Sequence, residues 1–156
     1  MAALGCEVRY GDYDQPASMV AAMAGASKLL LISGTRVGAR IAQHQAAVDA
    51  AVAAGVGHVV YTSFIGIDDP VNPAEVRHDH IETERLIRAS GLAFTFLRDA
   101  HYADAMILMA GPGVMASGQW ISNSGLGREA MVWRDDCAAC AVGFGARAGG
   151  WAVPGA

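Results

Sequence analysis

Residues 28–34 read Lys28-Leu29-Leu30-Leu31-Ile32-Ser33-Gly34, a short apolar run that ends abruptly on a hydroxyl and a glycine. Such a run, bounded by turn residues, is the mark of a strand buried on both faces. Working outward from it, the elements alternate. A long helix is expected over roughly 37–54, stopped by Gly55. A β-branched, aromatic strand follows at His58-Val59-Val60-Tyr61-Thr62. Beyond a loop carrying Pro70 and Pro73, a helix is expected from about Glu75 to Ser90, ending at Gly91. The next strand is Ala93-Phe94-Thr95-Phe96-Leu97. On the N-terminal side, Glu7-Val8-Arg9-Tyr10 is a short strand candidate, and Asp14 followed by Pro16 starts a helix that ends at Gly25. After Gly111 the pattern weakens. Short strands are expected near Trp120 and Val132, and a helix after Asp135. Strand–helix–strand alternation of this kind implies right-handed βαβ units, hence a parallel sheet with helices on both faces, in a single domain over 1–156.

The bulk numbers restrict what such a domain can do. The chain has 156 residues, 53% of them hydrophobic and 17% charged, with a formal net charge of −4. That balance gives no electrostatic reason to bind nucleic acid or an anionic membrane. The apolar stretches are too short to span a bilayer, and the first residues do not resemble a signal peptide, so the expected compartment is the cytoplasm. Cys6, Cys137 and Cys140 are too few, and odd in number, for a secreted disulfide framework. Cys137-x-x-Cys140 has redox spacing, but Asp135 and Asp136 beside it would discourage thiolates. The pair is read as small buried residues of a helix.

Parallel sheets of this type bind ligands outside the carboxyl ends of their strands. That rule selects three loops: Ser33-Gly34-Thr35-Arg36, Thr62-Ser63-Phe64 and Arg98-Asp99-Ala100-His101-Tyr102. Each offers hydroxyls, small residues or charge to a polar ligand. Two glycine motifs could cradle an anion. Gly34-Thr35-Arg36-Val37-Gly38 follows a strand and precedes a helix, whereas Gly125-Leu126-Gly127-Arg128-Glu129-Ala130 fits G-x-G-x-x-A outside the required βαβ context.

The stretches VRYGDYD (8–14), KLLLISG (28–34), VGHVVYTSF (56–64), HIETERLIRASGLAFTFLR (80–98) and VWRDDCAAC (132–140) together carry a family resemblance. The chain resembles the atypical short-chain dehydrogenases, and more narrowly their NmrA-like and type 2 NAD(P)H:quinone oxidoreductase branch. The resemblance implies a Rossmann-like sheet and NADP or NAD as cofactor. Asp12 would approach the adenine, and Ser33, Gly34, Thr62, Ser63 and Phe64 would line the ribose and nicotinamide. Asp99 and Tyr102 would close over the cofactor. Quinone reductases typically have Arg-Asn-Gly-Trp-Tyr where this chain has Arg98-Asp99-Ala100-His101-Tyr102. Relatives also open with a strand, a Gly-rich turn and a helix. The chain is therefore expected to be a truncated Rossmann-like domain beginning near the third strand, incomplete at both ends. Its exposed sheet edge would be covered by the strand around Val8 or by a second copy in a homodimer.

The proton chemistry of ordinary short-chain dehydrogenases needs Tyr-x-x-x-Lys on one helix, and the single lysine, Lys28, has no tyrosine four residues before it. The register of the resemblance puts His80 and Glu84 in those two places. At i and i+4 the side chains share a helical face, which is either turned toward the site or a solvated surface pair worth about 0.2–0.5 kcal/mol; a carboxylate beside the imidazole would favour its protonated form. A metal site is not expected: His78 and His80 point to different sides of a helix, and no third ligand lies nearby in sequence. Ser63 lacks a Gly-x-Ser-x-Gly context, so its expected job is a hydrogen bond to cofactor or backbone. Two function classes stand. One is an NAD(P)H-dependent oxidoreductase passing hydride to a quinone-like small molecule. The other is a redox-inactive relative: a dinucleotide-sensing or protein-binding module, or a truncated product with no activity of its own.

Overall fold

A computed structural model describes residues 5–36, 38–121 and 125–147. The chain order is α1 (Pro16–Met23), β1 (Lys28–Leu31), α2 (Arg40–Ala53), β2 (His58–Phe64), α3 (Arg77–Ala89), β3 (Ala93–Asp99), β4 (His101–Tyr102), α4 (Ala103–Ser117), β5 (Met131–Val132) and α5 (Arg134–Arg147). Strands β1, β2 and β3 form a parallel sheet in that order. Lys28 lies opposite His58, and His58 opposite Ala93. β4 and β5 make a separate two-stranded parallel ladder, His101 opposite Met131. Gly25, Gly55 and Gly91, each expected to end a helix, adopt φ of +77°, +75° and +80°, the left-handed conformation that glycine reaches without a Cβ clash.

The two-residue period of β2 divides the core. Val59 and Tyr61 join Met19, Met23, Leu31, Val48, Ala51 and Ile87 beneath α1, α2 and α3. Val60 points the other way, packing with Leu97, Leu30 and Ala141 of α5. Both faces of the sheet are therefore covered by helices, as alternation along the chain implies. Val59, Val60 and Tyr61 are fully buried, so truncating Ile87 or Val59 to alanine should cost roughly 2–4 kcal/mol through lost transfer energy and a residual cavity.

Three expectations are corrected. Residues 7–10 form no strand, and Val8 and Tyr10 stay about two-thirds exposed. The reason is local: Arg9 donates to the Ala22 and Ala24 carbonyls at the C-terminus of α1 while pairing with Glu7, so the segment caps a helix and does not join β1. The region from 103 to 117 is a helix running through Gly111-Pro112-Gly113, its alanine, methionine and leucine content outweighing the breakers. None of its side chains is buried. Trp120 lies in no strand. The strand that the family resemblance implies around Trp151–Pro154 falls outside the described residues. No helix among the described residues is long and apolar enough to cross a membrane.

Candidate active site

The carboxyl ends of β1, β2 and β3 bring the three expected loops together above a polar layer between α2 and α3. Both helices carry a buried polar stripe at helical spacing. On α2 it is Arg40, Gln43 and His44; on α3 it is Asp79, His80, Thr83 and Glu84. The stripes interlock. The Gly34 amide donates to His44 Nε2 at 3.1 Å, and His44 Nδ1 meets Thr83 Oγ1 at 2.8 Å. Thr83 spends its own proton on the Asp79 carbonyl at 2.8 Å. Since Gly34 N–H can only donate and Thr83 has no second proton, His44 must carry its hydrogen on Nδ1. Burial, with the Arg40 charge adding to it, lowers the His44 pKa to about 4. Arg40 Nε donates to the Gly34 carbonyl at 2.6 Å, and its Nη1 lies 3.4 Å from Asp79 Oδ2. Both of these last atoms are buried without a hydrogen bond.

His80 and Glu84 share a buried face, but they do not form the expected pair. Glu84 is 1% exposed and its carboxylate is committed elsewhere. Ser63 Oγ donates to Oε1 at 2.6 Å, and Arg98 grips both oxygens, Nε to Oε1 at 3.0 Å and Nη2 to Oε2 at 2.9 Å. Arg88 adds a second cation at 2.8 Å. Burial pushes the Glu84 carboxyl up, but the hydrogen bonds from Arg98 and Ser63 and the Arg98 charge outweigh it and hold the group below its usual range. His80 Nδ1 instead meets the Tyr61 hydroxyl at 2.8 Å. Burial, with the Arg40 charge adding to it, lowers the His80 pKa to about 4, and Glu84 opposes only in part. The expectation of a protonated His80 is thus overturned: desolvation wins because arginines have already neutralised the carboxylate. A solvated i,i+4 pair is excluded by the same burial. His78 is exposed, and Glu82 pairs with Arg85.

The remaining expected residues fall as follows. Ser33 donates its amide to Thr62 Oγ1 at 2.8 Å, so Thr62 ties β2 to the end of β1. Ser63 donates to Glu84, so the hydrogen bond it makes within the protein goes to a side chain and not to backbone. Phe64 stacks on His80 (centroids 5.8 Å apart, planes at 25°) and meets His101 edge-on at 5.0 Å. Tyr102 donates to Asp99 Oδ2 at 3.0 Å. Burial raises the Asp99 pKa against the Tyr102 and Cys137 hydrogen bonds. Cys137 is partly buried and Cys140 exposed, so the pair is helical but not a buried one. Burial and Asp99 push the Cys137 thiol up to about 11. Asp12 shapes its own turn, accepting from Asp14 N and Gln15 Nε2. That turn reaches the end of β1, where Tyr13 donates to the Ile32 carbonyl. In the turn after β1 the Gly34 amide serves His44 and Arg36 pairs with Asp14, so two of the donors that the anion reading relied on are already engaged.

The pattern of the family described as NAD(P)H-binding matches residues 1–143. The chain belongs to the NAD(P)H-binding family. Among relatives of this NAD(P)H-binding chain, quinone oxidoreductase 2 of Escherichia coli is 39% identical over 142 residues, covering 91% of this chain and 49% of the relative. The solved structure of the E. coli NADPH-dependent quinone oxidoreductase QOR2 with NADPH superposes with a TM-score of 0.82 at 38% identity. It covers 99% of this chain and 51% of that one. Citrobacter sp. triphenylmethane reductase with NADP(H) gives 0.81 at 39% identity, over 92% and 51%. The chain therefore spans about half the length of the relatives it matches. The Rossmann-like architecture and the cofactor class, NAD(P)H, agree with the sequence reading. Tyr61, Arg40, His44, Asp79 and Thr83 were not singled out by sequence. Their signal was available: polar residues at i, i+3 and i+4 on the otherwise apolar face of α2, and again on α3.

Proposed function

We propose that the chain forms the nicotinamide end of a cytoplasmic NAD(P)H-dependent oxidoreductase that reduces a quinone-like small molecule. On this reading it is a member of the NmrA-like, quinone-reductase branch of the atypical short-chain dehydrogenases. The observation that carries this is His80. Its Nδ1 is held by Tyr61, while Nε2 has no hydrogen-bond partner among the described residues and is not among their buried orphan atoms. That ring edge is therefore open to solvent or ligand, beside Phe64 at the carboxyl end of β2.

The residues present fit a dinucleotide. A Cβ built on Gly34 would lie 3.5 Å from Gln43 Oε1, an ordinary contact. The protein's own packing does not require glycine there, so its bare face leaves space for a ligand. Ser33, Gly34, Phe64, His80 and Tyr102 would hold the nicotinamide half, with Asp12 toward the adenine. A reduced nicotinamide bound here supplies the hydride. Phe64 covers one face of the His80 ring. His80, neutral at physiological pH, donates a hydrogen bond from Nε2 and is no source of a free proton, so solvent protonates the product oxygen. Glu84 takes no proton. It anchors Ser63 and Arg98 beneath the site. The edge of β1 and the uncovered apolar helix α4 support a homodimer.

The test is NADPH oxidation dependent on a benzoquinone, in wild type and His80→Phe. We expect turnover to fall at least tenfold in the variant. An unchanged rate removes His80 from the mechanism, and NADPH binding without oxidation favours the sensing relative.

A further inference from the structure

We infer that Tyr61 is a positioning residue that fixes His80 in the Nε2–H form, so that the open edge of the ring offers a donor to a ligand carbonyl oxygen. This rests on the oxidoreductase reading above. The argument is one of proton counting. A neutral imidazole has one N–H, and the partner of one nitrogen decides which nitrogen bears it. Tyr61 Oη lies 2.8 Å from His80 Nδ1. His80 Nδ1 is the hydrogen-bond partner of the phenol among the described residues. Of the two other hydroxyls near it, Ser33 and Thr83, neither makes such a bond, and Thr83 Oγ1 already accepts from His44 Nδ1–H while donating to the Asp79 carbonyl. The phenolic proton is therefore best placed on His80 Nδ1, which leaves the His80 hydrogen on Nε2.

The phenol is a lasting donor. Tyr61 is fully buried, and burial pushes its pKa up to about 12. The two buried histidines thus hold opposite forms, His44 with Nδ1–H and His80 with Nε2–H. The distinction decides recognition. Nε2–H attracts a carbonyl oxygen, whereas a bare Nε2 lone pair would repel it. Two carbonyls share this chemistry, the carboxamide of the nicotinamide and the quinone oxygen.

The experiment is long-range ¹⁵N–¹H correlation on histidine-labelled protein, first without ligand. We expect His80 with Nε2 protonated and Nδ1 bare, and His44 with the reverse, as an internal control. In Tyr61→Phe the His80 Nδ1 resonance should move downfield, toward an unbonded nitrogen, while His44 keeps its pattern. Should that variant not fold, incorporation of 3-fluorotyrosine strengthens the phenolic donor, and His80 Nδ1 should move the opposite way. A protonated Nδ1 in the wild type, or an Nδ1 resonance indifferent to both changes, overturns the inference whatever the turnover. Addition of NADPH alone should move Nε2–H if the carboxamide is its partner. Movement only after a benzoquinone is added assigns the acceptor. If the Gly34 amide reports NADPH binding and Nε2–H responds to neither ligand, the donor role is overturned. If the Nε2–H form is present but no quinone-dependent oxidation occurs, the oxidoreductase reading fails alone.

Discussion

Ser63 Oγ donates to Glu84 Oε1 at 2.6 Å, and the same oxygen accepts from Arg98 Nε at 3.0 Å. One carboxylate of α3 thereby fastens the carboxyl ends of β2 and β3. Glu84→Gln keeps the shape but removes the charge facing Arg88 and Arg98. We predict a loss of about 2–3 kcal/mol, below the full cost of breaking a buried pair because both arginines retain contact with solvent. Urea unfolding measures it. A catalytic base would behave differently, with stability unchanged and turnover abolished.

Gly34→Ala separates ligand space from protein packing. The new methyl has ordinary contacts, 3.5 Å from Gln43 Oε1 and 3.9 Å from His44 Nε2. Stability should stay within about 1 kcal/mol of wild type, with any gain coming from a stiffer unfolded chain. NADPH affinity should fall at least tenfold, about 1.4 kcal/mol. Thermal melts and cofactor titration on the same sample read both quantities; a melting temperature that collapses would show that glycine serves the fold.

Acid sensitivity follows from the two buried histidines. Both have folded pKa values lowered to about 4 from 6.5. The unfolded chain binds more protons between those values, so their stabilising contribution is complete above about pH 6.5 and is lost as pH falls toward 4. The loss is on the order of 3 kcal/mol per histidine at the acid end. Glu84, lowered in the folded state, adds to the loss only below its unfolded value of 4.5. Melting temperature measured from pH 7.5 to 4.5 should decline steadily below pH 6.5; a flat profile would mean the histidines titrate normally.

Thiol reactivity gives an independent check on the loop after β3. With its pKa raised to about 11, Cys137 carries almost no thiolate near neutrality, whereas Cys6 and Cys140 are exposed. Mass spectrometry after brief iodoacetamide treatment should find Cys6 and Cys140 alkylated well before Cys137. Equal labelling would place Cys137 away from Asp99.

The three-stranded parallel sheet was legible because β1 and β2 are apolar on both faces, and αL glycines mark the helix ends. The strand-end loops were legible too, since their position follows from strand direction alone. What the sequence hid was partnership. His80-x-x-x-Glu84 predicts a shared face, but whether Glu84 charges His80 depends on Arg98 and Arg88. Arg98 comes from β3, and no spacing within α3 reveals it. Tyr61 reads as an apolar strand residue until α3 places an imidazole against its hydroxyl. Residues 7–10 have β propensity, yet Arg9 finds better partners in the carbonyls at the end of α1.

The central claim, that the strand ends hold NAD(P)H, is tested most directly by titrating ¹⁵N-labelled protein with NADPH and mapping the amide shifts. Saturable shifts should concentrate at Ser33–Gly34, Thr62–Phe64, His80 and Asp99–Tyr102. Absence of shifts at millimolar NADPH, or shifts clustered away from these loops, would contradict it.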